Sequence, residues 1–174
     1  IFCLLQFYIR VGITVPIMEE YGIDAWLTLT RDPCDDMTNV IWDRDIQLDP
    51  IVEYIGGESV TVPAAFIFTT SGERIAIVGT SDAQAVRDTA IYDEVETYTF
   101  DRANGYSEFS ELLRQILEKL NPTHIGLNFS EEEGVADGLT VGMKRIFDGA
   151  VGPELSSRVV SAEKIIVSLW NRKV

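Results

Sequence analysis

The spacing of apolar positions changes several times along this chain, and each change predicts an element. Over Ser107–Leu120, Phe109, Leu112, Leu113, Ile116, Leu117 and Leu120 recur at helical spacing, which predicts an amphipathic helix ended by Asn121-Pro122. Leu139, Met143, Ile146 and Phe147 repeat that spacing and predict a helix over 139–150, and Ser81–Ala90 reads as a shorter one. The apolar runs Ala64–Thr69 and Arg74–Val78 are separated by Thr70-Ser-Gly-Glu73, a turn composition that predicts an antiparallel hairpin. Ile23–Thr30 and Val95–Phe100 alternate as strands do, and His124–Phe129 and Ser157–Val160 supply two more. Pro16–Tyr21 predicts a short helix stopped by Gly22. Between Arg31 and Gly57 the pattern dissolves into a long Asp-rich loop carrying a helix at Asp49–Ile55; loops of this length are commonly functional. A hairpin followed by alternating helices and strands predicts an α/β fold, a mixed β-sheet flanked by helices.

The two ends differ from this core. Residues 1–15 form an apolar leader that Gln6 and Arg10 interrupt; it is too short and broken to span a bilayer, has no cleavage site after it, and reads as a buried helix or strand. Residues 16–160 make the α/β domain, and 161–174 a terminal helix with Ser161 as N-cap, Glu163 in the first turn, and Arg172 and Lys173 in the last. Its Ile166, Leu169 and Trp170 share one face, worth roughly 5 kcal/mol if buried. Two destinations stay open for that face. It packs on the domain's own sheet, or the three residues are interdomain or dimer contacts, partly exposed here or covered by a second copy.

Length and composition narrow the chemistry. The chain has 174 residues, 46% of them hydrophobic, enough for one domain with a proper core. With 14 basic against 28 acidic residues the net charge of −14 disfavours nucleic acid and anionic membranes as partners. Cys3 and Cys34 cannot build a disulfide framework, which fits a reduced, cytoplasmic compartment. The single histidine, His124, opens a strand as a structural or solvent-facing residue, and no Ser/His/Asp spacing, nucleophile elbow or phosphate-binding glycine loop occurs. Asp32, Asp35, Asp36, Asp43, Asp45 and Asp49 miss the EF-hand spacing and read as a solvated acidic loop; Glu131–Glu133 reads as a solvated turn.

Four phrases occur in a telling order: Met18–Leu27 (MEEYGIDAWL), the hairpin Ala64–Val78, His124–Phe129 and Arg158–Ile166. Together, over roughly residues 16 to 174, they resemble the N-terminal domain of the creatinase, prolidase and aminopeptidase P family of pita-bread metallohydrolases. The resemblance implies a ribonuclease-H-like α/β domain that is non-catalytic, helps form a homodimer and covers the active site of a cytoplasmic Xaa-Pro dipeptidase or aminopeptidase. It implies a C-terminal catalytic domain as partner, with two divalent ions (Mn, Co or Zn) on two aspartates, a histidine and two glutamates. None of those motifs can be placed in this chain, so no cofactor, metal ligand or catalytic residue is assigned to it. In the family the loop after the first strand resembles Asn-x-x-Tyr-Leu-x-Gly-Phe and faces an active site. Here the loop departs from that pattern, and Arg31, Trp42 and Arg44 are its substrate-capping candidates: guanidinium groups suit a carboxylate and an indole can wall an imino-acid pocket. The alternatives are a stand-alone interaction domain that has lost its enzyme half, the N-terminal domain of a creatinase-like amidinohydrolase, or a small flavodoxin-like enzyme with its ligand at the carboxyl ends of the strands.

Overall fold

Strand β1 (Ala25–Thr30) lies between β2 (Ala64–Thr69), antiparallel to it, and β5 (Ile125–Leu127), parallel to it. Beyond β2 come β3 (Arg74–Gly79) and β4 (Glu94–Tyr98), and beyond β5 comes β6 (Val159–Ser161), giving the order β4-β3-β2-β1-β5-β6. Among the described strands β2 alone runs against the rest. The computed structural model describes residues 2–31, 49–56, 60–101, 103, 104 and 106–172.

Strand alternation divides the core in two. Trp26, Phe66, Phe68, Ala76 and Val78 project to one face, which α1 (Phe2–Tyr21), α2 (Ala83–Asp88) and α5 (Glu163–Asn171) cover. Leu27, Leu29, Ile67, Ile75, Ile77 and Leu127 project to the other, under α3 (Ser107–Leu120) and α4 (Val141–Ser156). Because both faces are covered, β1, β2 and β3 are buried almost throughout, and this is why β2 and β3 read as apolar runs in the sequence, while β1 alternates only because Thr28 and Thr30 are buried polar residues. The hairpin pairs Leu27 with Ile67 through β1 and Phe66 with Ala76 through β3, and Gly72 closes its turn with φ +91°.

The expected mixed sheet flanked by helices is observed, and α3 has the bounds its spacing predicts. Phe109, Leu113, Ile116 and Leu117 are its buried stripe, and left-handed Asn121 ends it by donating its N–H to the Leu117 carbonyl. Three expectations need correction. The short helix expected at Pro16–Tyr21 is the end of a continuous helix that starts at Phe2 and crosses the expected boundary at residue 15. Pro16 offers no N–H to Gly12 four residues earlier, but both residues are exposed, so water can serve that carbonyl, and Gly12 has no side chain to crowd the ring. The fourth helix starts at Val141 and not at Leu139, and Gly152, at φ 73°, interrupts it close to the expected end, so that Pro153 starts a separate last turn. At Asp49–Ile55 there is only a 3-10 turn, Glu53–Ile55. No helix among the described residues is long and apolar enough to cross a membrane.

Candidate functional site

The neighbours of β1 connect in opposite senses, so the carboxyl ends of β1 and β5 form the place where an open α/β sheet usually opens a ligand crevice. A buried polar cluster lies there. Asn128 comes directly after β5, and its Oδ1 accepts the indole N–H of Trp26 at 2.7 Å. Its Nδ2 donates to Thr28 Oγ1 at 3.0 Å and to Asp49 Oδ2 at 2.7 Å. The second carboxylate oxygen of Asp49 accepts the N–H of Ile51 at 3.1 Å, closing a turn. All four side chains are buried, Asp49 at 3% exposure and Asn128 at 1%.

Gly138 completes the enclosure, because a Cβ there would stand 2.2 Å from Asp49 Cγ. The next residue, Leu139, donates its N–H to the Asn128 carbonyl at 2.8 Å. Burial pushes the Asp49 carboxyl above the ordinary carboxylate range, and the hydrogen bonds from Asn128 and Ile51 oppose that shift without cancelling it. Asp49 is therefore not the solvated loop aspartate the sequence suggests. The cluster fastens Asp49 to the ends of β1 and β5 through Thr28 and Asn128.

Of the substrate-capping candidates, Arg31 leaves the end of β1 exposed, with its guanidinium over Gly142 in the first turn of α4. A Cβ on Gly142 would come within 2.9 Å of Arg31 Nη1, so the small residue makes room for the arginine. Thr140 caps that helix by accepting the Met143 N–H at 3.2 Å. Trp42 and Arg44, like Asp32, Asp35, Asp36, Asp43 and Asp45, lie outside the described residues. His124 is exposed, its Nδ1 3.9 Å from Asp24 Oδ2, and that same oxygen accepts the N–H groups of Thr123 and His124.

The three residues proposed for interdomain contact separate. Ile166 and Leu169 are 0% exposed within this chain, packed with Ile17, Met18 and Trp26, while Trp170 is partly exposed. The expectation that all three stay partly exposed in this chain fails for the first two, because α1 lies beside α5 and takes up its apolar face. Tyr21 of α1 and Ser168 of α5 share a bond of 3.1 Å, and Tyr54, on the 3-10 turn Glu53–Ile55, donates to the Leu169 carbonyl at 3.1 Å. At the start of α5, Ser161 Oγ accepts the Glu163 N–H at 3.1 Å, but the helix begins at Glu163 and Ala162, not the expected Ser161, stands at the N-cap.

Among the described residues no group of three or more His, Cys, Asp or Glu side chains could hold a metal ion. The two buried carboxylates among the described residues are engaged by the protein itself: Asp82 takes the N–H and hydroxyl of Thr61 at 2.8 and 2.7 Å, and Asp49 takes Asn128 and Ile51. These residues do not fit the metal pair that the sequence resemblance implies for a catalytic domain, and no step through metal is assigned to them.

Neither any protein-family model nor any curated protein matches the chain. Solved structures do. The chain is similar to the N-terminal domain of an Xaa-Pro dipeptidase from Lactobacillus brevis, with a TM-score of 0.52 at 11% identity over 91% of this chain and 98% of that one. It is similar to an X-Pro aminopeptidase from Thermotoga maritima, with a TM-score of 0.58 at 14% identity over 92% of this chain and 35% of that one. The N-terminal domain of the FACT complex subunit SPT16 from Cicer arietinum matches with a TM-score of 0.57 at 10% identity, over 96% of this chain and 38% of that one. The chain spans about a third of the longer peptidases it resembles, 34% of the Xaa-Pro dipeptidase from Bacillus anthracis among them. Its fold is that of the N-terminal domain of Xaa-Pro dipeptidases and aminopeptidases P.

Proposed function

We propose that this chain is the non-catalytic N-terminal domain of a proline-specific metallopeptidase and serves to cover the active site and to dimerise. The observation that carries the reading is coverage: isolated N-terminal domains match almost end to end, whereas full peptidases match over about a third of their length. The chemistry then belongs to a C-terminal catalytic domain, where a pair of divalent ions (Mn, Co or Zn) would activate water and polarise the peptide carbonyl. This domain's contribution is a rim at the carboxyl ends of β1 and β5. Arg31 stands on that rim and is suited to pair with a substrate carboxylate, with Trp42 and Arg44 later in the same connection. Trp170, the partly exposed member of the α5 set, is the candidate for contact with the next domain. The setting is cytoplasmic.

The likeness to the SPT16 domain favours a second reading, an interaction domain without an enzyme half. The coding sequence beyond Val174 separates the two. A continuation carrying two aspartates, a histidine and two glutamates as metal ligands supports the peptidase reading or its creatinase-like variant, which substrate assays then divide. A stop codon there supports the interaction domain.

A further inference from the structure

At the amino end of β1, the end of the sheet away from Asn128, the described residues form an open cleft of about 240 Å³. The start of β1, the turn between β2 and β3, and the end of α3 with the residues after it make its walls. Three charged side chains line it, Asp24, Glu73 and Lys119, and they do not neutralise one another. Among the described residues the Lys119 ammonium has no hydrogen-bond or ion-pair partner, whereas Arg74, Arg114 and Lys144 each meet a carboxylate at 2.6 Å. Asp24 uses Oδ2 for the N–H groups of Thr123 and His124, both at 2.8 Å, and Glu73 uses Oε2 for the Ser71 hydroxyl at 2.9 Å. The other oxygen of each carboxylate takes no hydrogen bond from the described residues. Leu120 and Pro122 give the cleft an apolar side.

We infer that this cleft is a binding site for a free amino acid, a zwitterion with a small apolar side chain. The ligand's carboxylate pairs with the Lys119 ammonium, its own ammonium with the open oxygens of Asp24 and Glu73, and its side chain lies against Leu120 and Pro122. The charges decide the class. An anion alone meets two carboxylates in the cleft and a cation alone meets the lysine, so the ligand that answers both halves carries both charges on one small molecule. Because the cleft is open, water screens each of these pairs, and the affinity is modest, with a Kd on the order of 1 mM. None of the three charged side chains is needed to fill the core, so each can be changed without opening a cavity.

The single histidine supplies the readout, since its exposed ring has Nδ1 3.9 Å from Asp24 Oδ2 and so senses a charge arriving on that carboxylate. In the test, the His124 ring signals in the proton NMR spectrum of the full chain are followed at fixed pH and low ionic strength while L-alanine or L-valine is added. Two controls each lack one charge: N-acetyl-L-alanine has no ammonium, and L-alaninamide has no carboxylate. The expected result is a saturable shift with both amino acids, with a midpoint on the order of 1 mM, and midpoints at least roughly tenfold higher for both controls. Lys119→Gln and Glu73→Gln should each raise the amino-acid midpoint by a similar factor without changing the thermal unfolding midpoint. No saturable shift with either amino acid, a control that binds as well as L-alanine, or a midpoint unchanged in Lys119→Gln would each overturn the proposal.

Discussion

Asp49 takes its two hydrogen bonds from neutral donors, Asn128 and Ile51, in a buried position, and burial outweighs both bonds in setting its proton affinity. A carboxyl raised in the folded state means that the fold binds this proton more tightly than the unfolded chain does. Its contribution to stability is complete below the unfolded value, 3.8, and is lost as pH rises through the higher folded value. Asp49→Asn, which cannot ionise, should therefore gain on wild type as pH rises from about 4 to 7 in urea unfolding; a gap that narrows with rising pH would contradict this. Asp93 runs the other way, because the side-chain hydrogen bonds from Arg74, with Nε 2.9 Å and Nη2 2.6 Å from its oxygens, hold its carboxyl below 3.8. Its contribution is present above 3.8 and is lost as pH falls through the folded value. Trp26→Phe keeps a ring beside Phe68 but leaves Asn128 Oδ1 without its indole donor, at a cost of about 1–3 kcal/mol in the same measurement. Neither Asp49 nor Asn128 was legible as a site in the sequence. A loop aspartate looks the same whether solvated or buried, and its partner here lies 79 residues away.

At the scale of elements, legibility tracked periodicity. Helix α3 and the β2–β3 hairpin each present one clear repeat to one clear partner, and both were readable to within a residue or so. The first helix presents none: Phe2–Val15 is apolar on nearly every side, so no stripe marks it as a helix, and Pro16 imitates a start. For α5 the stripe was visible but its destination was not, because the surface that receives it belongs to α1 at the far end of the sequence. Leu113→Ala on α3 should destabilise by about 2–5 kcal/mol through lost burial and a residual cavity. Leu169→Ala on α5 should fall in the same range of about 2–5 kcal/mol, and Trp170→Glu should cost less, since that side chain is partly exposed. Equal losses for Leu169→Ala and Trp170→Glu would show that α5 is held by the tryptophan instead.

At the scale of the molecule, the topology places the chain's own polar cluster where related sheets place ligands, and leaves Arg31 on the rim beside it. The fold was legible from the order of segments, and the sequence resemblance and the structural neighbours point to the same N-terminal domain fold. The polar cluster at the end of the sheet was not legible, because it depends on contacts between distant segments, and for Arg31 the structure adds only that it is exposed directly after β1. Catalysis, in the proposed reading, belongs to a domain C-terminal to this one, so the deciding measurement compares two proteins. Proline release from Xaa-Pro dipeptides, in Mn²⁺ and then with EDTA, should be monitored for the product of the whole open reading frame and for the 174-residue chain alone. EDTA-sensitive release is expected from the whole product and none from the chain; EDTA-sensitive release by the chain alone, or a whole product that releases no proline, would contradict the proposed function.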